Sequence, residues 1–300
     1  MTRRLRRIGG WFVPSLPEAR VAILRVVVYL FALVDVLVFV DDVIAKAQLQ
    51  AAYSPLALAR LLHLPVPTPA LAYTLQAVIV VGCVVAATGR LPRAVGYPVA
   101  AAFMWWVLLG MSYGKVDHDH LALLVALAVL PSAGRCRFGG LDGNRAAGWA
   151  LRCIQFGVIA TYLLSALTKV RGTGWLGWPE SAVLAWAFVR RPNPVNAVLV
   201  AYPAALVAMQ WTVYVAEWLS PLALFLRGHA LVVIVSFWLG FHAMTFALMG
   251  IHFLPTVVCW GAFMALEALP AAVRRKRAAP GLGGPAPSVR VGGSPRPAEE

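Results

Sequence analysis

A chain of 300 residues that is 61% hydrophobic, 13% charged and contains 11 tryptophans lies outside soluble-domain composition, where about a quarter of residues are charged. Its mean hydropathy of +0.76 comes from apolar runs near helix-span length, which identify a polytopic all-α membrane bundle and exclude a barrel of short alternating strands. The net charge of +14 does not mark a nucleic-acid binder, because the basic residues sit in short clusters between apolar spans instead of along an aromatic-interleaved face.

The chain opens with "MTRRLRRIGGWFVPSLPEAR", a basic segment over 1–17. The apolar stretch after it exceeds a signal h-region and carries no small-residue cleavage pattern, so it reads as a retained first span. Low-charge runs bounded by Pro, Gly or basic residues predict eight helices near 20–40, 71–88, 94–113, 119–134, 149–168, 205–226, 229–250 and 253–269. Between the fifth and sixth, "PESAVLAWAF" reads as an interfacial or re-entrant helix, and Pro203 interrupts the apolar stretch beyond it. The transmembrane domain thus covers 18–270, and the Pro- and Gly-rich 271–300 reads as a disordered cytoplasmic tail.

With the N-terminus inside, 18 of the 26 basic residues fall on the cytoplasmic side. Lys46, Arg60, Lys115, Lys169, Arg171, Arg190 and Arg191 fall on the other, and Arg25 lies inside the first span. That imbalance orients both termini inward in a cell membrane. The orientation puts "GKVDHDH", Lys169, His242 and His252 at one extracytoplasmic level.

Ionisable groups within the bilayer need partners. Arg25 and Asp35 are ten residues apart, about 15 Å along one helix, so each requires a partner from another span, with Glu217 available to Arg25. In "DHDH", Lys115 and the aspartates read as a border and a helix cap. His118 and His120 point about 200° apart on a helix, and His120, first in the apolar run, is the one expected to face inward, within reach of Lys169 and His242. Lys169 ends an apolar helix, where it either snorkels or serves as a desolvated base. His242, among Phe241, Met244 and Phe246, must find a hydrogen-bond partner. The four cysteines form no C-x-x-C or metal-like spacing.

Several segments, in this order, resemble the membrane domain of the vitamin K-dependent gamma-carboxylase family and its bacterial relatives, the HTTM (horizontally transferred transmembrane) proteins. "LRVVVYLFALVDVLVF" carries an Arg and an Asp in the first span, and "DHDHLALL" is similar to the family's Asn-His-x-Tyr-Leu segment. "QFGVIATYLLSALTKVRGTGW" resembles its aromatic-rich helix ending in Lys and then Trp, followed by "AEWLSPLALFL" and the Phe-His helix "FHAMTFALMGIHFLP". The likeness covers roughly 18 to 268.

The resemblance implies that Lys169 deprotonates a reduced naphthoquinone (menaquinol or vitamin K hydroquinone) as co-substrate, with His120 and His242 as further catalytic residues. It also implies quinone contacts from Tyr162, Trp175 and Phe241, and no metal. Oxygen then converts the quinol to an epoxide, and the strong base so formed deprotonates a glutamyl side chain that takes up carbon dioxide. Two departures bear on that last step. No counterpart of the animal enzyme's large lumenal substrate domain is expected from these 300 residues, and the family's paired lysine is reduced to Lys169 preceded by Thr168.

The expected function is therefore a quinol epoxidase, with or without glutamyl carboxylation, whose partners are the bilayer, a lipid-soluble quinone and an unidentified protein substrate. A non-enzymatic membrane scaffold is one alternative. Another is an extracytoplasmic metal site built from Asp117, His118, Asp119, His120, His242 and His252. A transporter would require matching broken helices in two repeated halves, and none is legible.

Overall fold

The computed structural model describes residues 9–268 apart from position 41, so the basic residues before Gly9 and the tail expected over 271–300 lie outside the described residues. The chain is an all-α membrane bundle. Every one of the eight apolar runs contains a helix. We label them α1 (Glu18–Val34, continued by a π-helical turn Asp35–Phe39), α2 (Pro69–Ala87), α3 (Pro92–Met111) and α4 (His120–Val129). Next come α5 (Arg145–Gly177), two short helices α6 (Val183–Arg190) and α7 (Pro194–Val200), then α8 (Pro203–Leu219), α9 (Gly228–Met249) and α10 (Leu254–Cys259).

The eight runs do not give eight full-length spans. Five helices are long and apolar enough to cross a bilayer, or six if the pair Pro194–Val200 and Pro203–Leu224, bent by 105°, counts as one. The segments His120–Ala133 and Leu254–Phe263 are shorter, because each runs into a 3₁₀ turn: at Leu130–Ala133, around Pro131, and at Trp260–Phe263. At 1.5 Å per residue neither covers a hydrocarbon core of about 30 Å. They pack among other helices, α4 chiefly on α5, α3 and α10, so protein supplies part of the surroundings that lipid gives a longer helix.

Helix boundaries reflect local chemistry. Proline begins α2, α3, α7 and α8, where its missing N–H costs nothing. Thr68 Oγ1 caps α2 by accepting from Leu71 N–H (3.2 Å), and Asn144 caps α5 by accepting from Ala146 and Ala147 N–H (2.8 and 3.2 Å). Gly250, at φ 65°, ends α9 in the left-handed conformation. Asp119 occupies the N-cap position of α4 but makes no side-chain cap bond, so the expected cap is not formed.

Side-chain contacts define two ends of the bundle. At one, Arg20 pairs with Glu267 (2.5 Å), and the two-residue strands β1 (Leu16–Pro17) and β2 (Gly143–Asn144) pair antiparallel. Arg25 belongs to this end. Its Nη2 donates to the Cys136 carbonyl (3.2 Å) and its guanidinium lies against Gly89, whose φ of +67° turns the chain from α2 into α3. Arg25 therefore ties α1 to two interhelical turns and does not meet Glu217. At the other end, Lys46 pairs with Asp42 and donates to the Gly110 carbonyl, and exposed Lys115 pairs with Asp117.

The main core joins α1 to α5 with α10 and part of α9, around fully buried Trp106, Trp238 and Trp260. A smaller cluster of Phe188, Leu206 and Leu248 joins α6, α8 and α9. Polar side chains secure this second unit. Gln210 Nε2 donates to the carbonyls of Trp178, Pro179 and Ser181, and its Oε1 accepts from Leu184 N–H. Asn193 and Asn196 form a reciprocal capping box on α7, and both donate to the Leu248 carbonyl at the end of α9 (2.7 Å each).

Candidate functional site

Between α5, α6, α8 and α9 lies a cavity of about 830 Å³ with mostly apolar and aromatic walls. Its size is that of small-molecule sites, about 300–1,000 Å³. The detour through α6 and α7 supplies one wall with Leu184 and Phe188, while Met209, Met244 and Met249 supply deformable surface elsewhere.

Lys169, in the last third of α5, reaches Glu217 on α8, with Nζ 2.5 Å from each carboxylate oxygen. Ser165, one helical turn before the lysine, donates to Glu217 Oε1 (3.0 Å), and the ammonium sits 4.0 Å from the centre of the Trp178 ring. All four residues line the cavity. Lys169 thus neither snorkels free nor stands alone: its charge is matched by a carboxylate in an apolar surround.

His242 forms a second polar group on the wall. Its Nε2 is 2.7 Å from the Tyr162 hydroxyl, which also accepts from Trp260 Nε1–H (2.9 Å). Tyr162 is stacked 3.8 Å from Trp238, and His242 lies 5.1 Å from both Phe241 and Phe253 by ring centres. Among the described residues His242 Nδ1 has no hydrogen-bond partner.

The other expected site residues separate. His120 does face inward, but both its nitrogens are engaged elsewhere, Nε2 with Asp35 Oδ2 (3.0 Å) and Nδ1 with Asp119 Oδ1 (3.1 Å), and it does not line the cavity. Two carboxylates facing two ring nitrogens are satisfied by a doubly protonated imidazole. The partner that Asp35 requires comes from α4, and the reach of His120 to Lys169 and His242 is not realised. The residue of "DHDH" that lines the cavity is exposed His118.

Tyr162 and Phe241 line the cavity, whereas Trp175 does not: it is 64% exposed and stacks on Trp218 at 5.4 Å. Gly174, at φ 75° and ψ 179°, breaks the helical path, so Trp178 takes the place beside the lysine. Helical spacing from Lys169 cannot anticipate that break. Gln210 is a further residue of the wall that sequence reasoning does not single out, and its one signal is a lone amide inside the apolar run of α8.

The ligand set considered for a metal is dispersed. Lys115 takes Asp117, His120 takes Asp119, and His252 packs 4.6 Å from the Phe39 ring. Among the described residues no three His, Cys, Asp or Glu side chains are grouped to hold an ion. Comparison with known family models, curated proteins and solved structures finds no match to this chain.

Proposed function

We propose that this membrane protein binds a reduced naphthoquinone in the cavity and oxidises it with O2, as a gamma-carboxylase-like quinol epoxidase. The observation that carries the reading is the buried Lys169–Glu217 pair in the wall of an apolar, aromatic cavity. Flat apolar walls suit a fused bicyclic ring, and the two polar groups, Lys169–Glu217 and His242, suit oxygens on its edge.

The pairing revises the role the resemblance implies for Lys169. An ammonium bonded to a carboxylate has no lone pair to act as a base, so the proton acceptor is Glu217. When a quinol O–H gives its proton to Glu217, the carboxylate becomes a neutral acid. The Lys169 ammonium is then left beside the new oxyanion, and the total charge in the cavity is unchanged. Transfer of charge between fixed partners costs less in a dry site than creation of it. The quinol anion then reacts with O2, one oxygen atom ending in the epoxide and the other leaving as water with the two protons of the quinol, one of them returned by Glu217. Glutamyl carboxylation would be a later step, for which no protein-binding residues are assigned.

We read the end of the bundle that carries Arg20, Arg90, Arg93, Arg135, Arg137 and Arg145 as cytoplasmic, which puts the cavity toward the opposite face. Purified protein in nanodiscs, given reduced 2-methyl-1,4-naphthoquinone and O2, is expected to yield the epoxide. Glu217→Gln and Lys169→Met are each expected to slow it about 100-fold or more. Wild-type inactivity with several quinols, or variants that keep the wild-type rate, overturns the proposal.

A further inference from the structure

We infer that Trp260 and Tyr162 lock His242 in one tautomer, so that its Nδ1–H serves as a hydrogen-bond donor to an oxygen acceptor on the cavity's ligand. This rests on the cavity being the ligand site proposed above, though not on turnover.

The chain of donors has one consistent direction. An indole N–H can only donate, so the 2.9 Å contact makes the Tyr162 oxygen an acceptor from Trp260. Tyr162 has a single proton of its own, and among the described residues the only other group bonded to its oxygen is His242 Nε2, at 2.7 Å. Donation there makes Nε2 an acceptor. The neutral ring then carries its proton on Nδ1, the nitrogen without a partner among the described residues; it is itself closed off, on a side chain 5% exposed, so a ligand oxygen reaches it by displacing the wall that covers it. A buried N–H left unpaired is costly, and a ligand oxygen that reaches it recovers the loss.

The rest of the arrangement serves to hold that direction. Trp260 is 1% exposed on the 3₁₀ turn after α10 and packs on Phe263 (4.7 Å), so its N–H cannot swing away. Stacking on Trp238 fixes the Tyr162 ring. Because Trp260 has no lone pair to pass a proton on to, the chain ends there: it orients His242 and cannot drain protons from it. Tyr162 and Trp260 are therefore positioning residues, and His242 is the group that meets the ligand. The ligand pole at α9 must present a carbonyl or oxyanion.

The test is ¹⁵N NMR of full-length, [¹⁵N]histidine-labelled protein in nanodiscs, with 2-methyl-1,4-naphthoquinone as the probe. In wild-type protein the His242 signals are expected to show a protonated Nδ1 and a bare Nε2, with Nδ1 shifting when the probe binds. Trp260→Phe keeps an aromatic ring and removes the donor, which lets Tyr162 accept from His242; it is expected to give mixed tautomers and raise the probe Kd about tenfold. Tyr162→Phe should do the same. A wild-type ring protonated on Nε2, a probe that does not bind, or variants that scramble the tautomer without changing Kd overturns the inference. Probe binding with the expected tautomer but no turnover overturns the catalytic proposal and leaves this inference standing.

Discussion

Replacing one member of the Lys169–Glu217 pair leaves a charge buried without its partner, and the cost differs for the two members. Nζ is 2.5 Å from each carboxylate oxygen, and the side chains are only 14% and 7% exposed. At an effective dielectric of about 20 their attraction is about 7 kcal/mol, but desolvation costs several kcal/mol per ion, so the intact pair contributes little net stability. Removal of one partner costs about 3–5 kcal/mol. Lys169→Met leaves the carboxylate with only the Ser165 hydroxyl among the described residues. Glu217→Gln leaves the ammonium over the Trp178 ring, an interaction of about 1–2 kcal/mol. Lys169→Met is therefore expected to be the more destabilising by about 1 kcal/mol, with the double variant recovering at least about 2 kcal/mol relative to additivity. Equilibrium unfolding of purified protein in mixed micelles measures all four states of the cycle. Additive losses would refute the pairing, and equal single losses would refute the contribution of Trp178.

Other contacts give three more expected outcomes. His120→Gln removes the cation between Asp35 and Asp119 and is expected to cost about 3–5 kcal/mol, while naphthoquinone binding stays within about twofold of wild type, since His120 does not line the cavity. A titration of the same probe into both proteins checks this. Gly148→Ala places a Cβ against the Pro14 backbone carbonyl and is expected to cost about 3 kcal/mol or expel the N-terminal segment from α5, read by thermal unfolding and by protease access near Pro14. Burial alone would raise the Glu267 carboxyl, but hydrogen bonding and the charge of Arg20 outweigh it and hold the group below the ordinary glutamate range. Its folded-state value is thus depressed. The pair's stabilisation is present above the unfolded-chain value near 4.5 and is lost as pH falls through the lower folded value. The stability gap between wild type and Glu267→Gln should close in that window, as measured by melting temperature against pH.

Sequence by itself determined the class and layout of this protein. Apolar runs bounded by Pro, Gly or basic residues act over a few residues, so a helix in each of the eight runs was legible, as was the irregular stretch before Pro203. The burial of Asp35, Glu217 and His242 was legible for a related reason: no ionisable group in an apolar run can stay unaccommodated. Partner choice was not legible. Whether Glu217 meets Arg25 or Lys169, whether His118 or His120 lines the cavity, and whether Trp175 or Trp178 covers the lysine depend on helix rotation, on the break at Gly174 and on the detour through α6 and α7. Those are set by packing among several helices at once, as is the length of the two short segments, because a helix flanked largely by protein need not match the bilayer. Helical period fixes which residues share a face, and only the assembled bundle decides what that face meets.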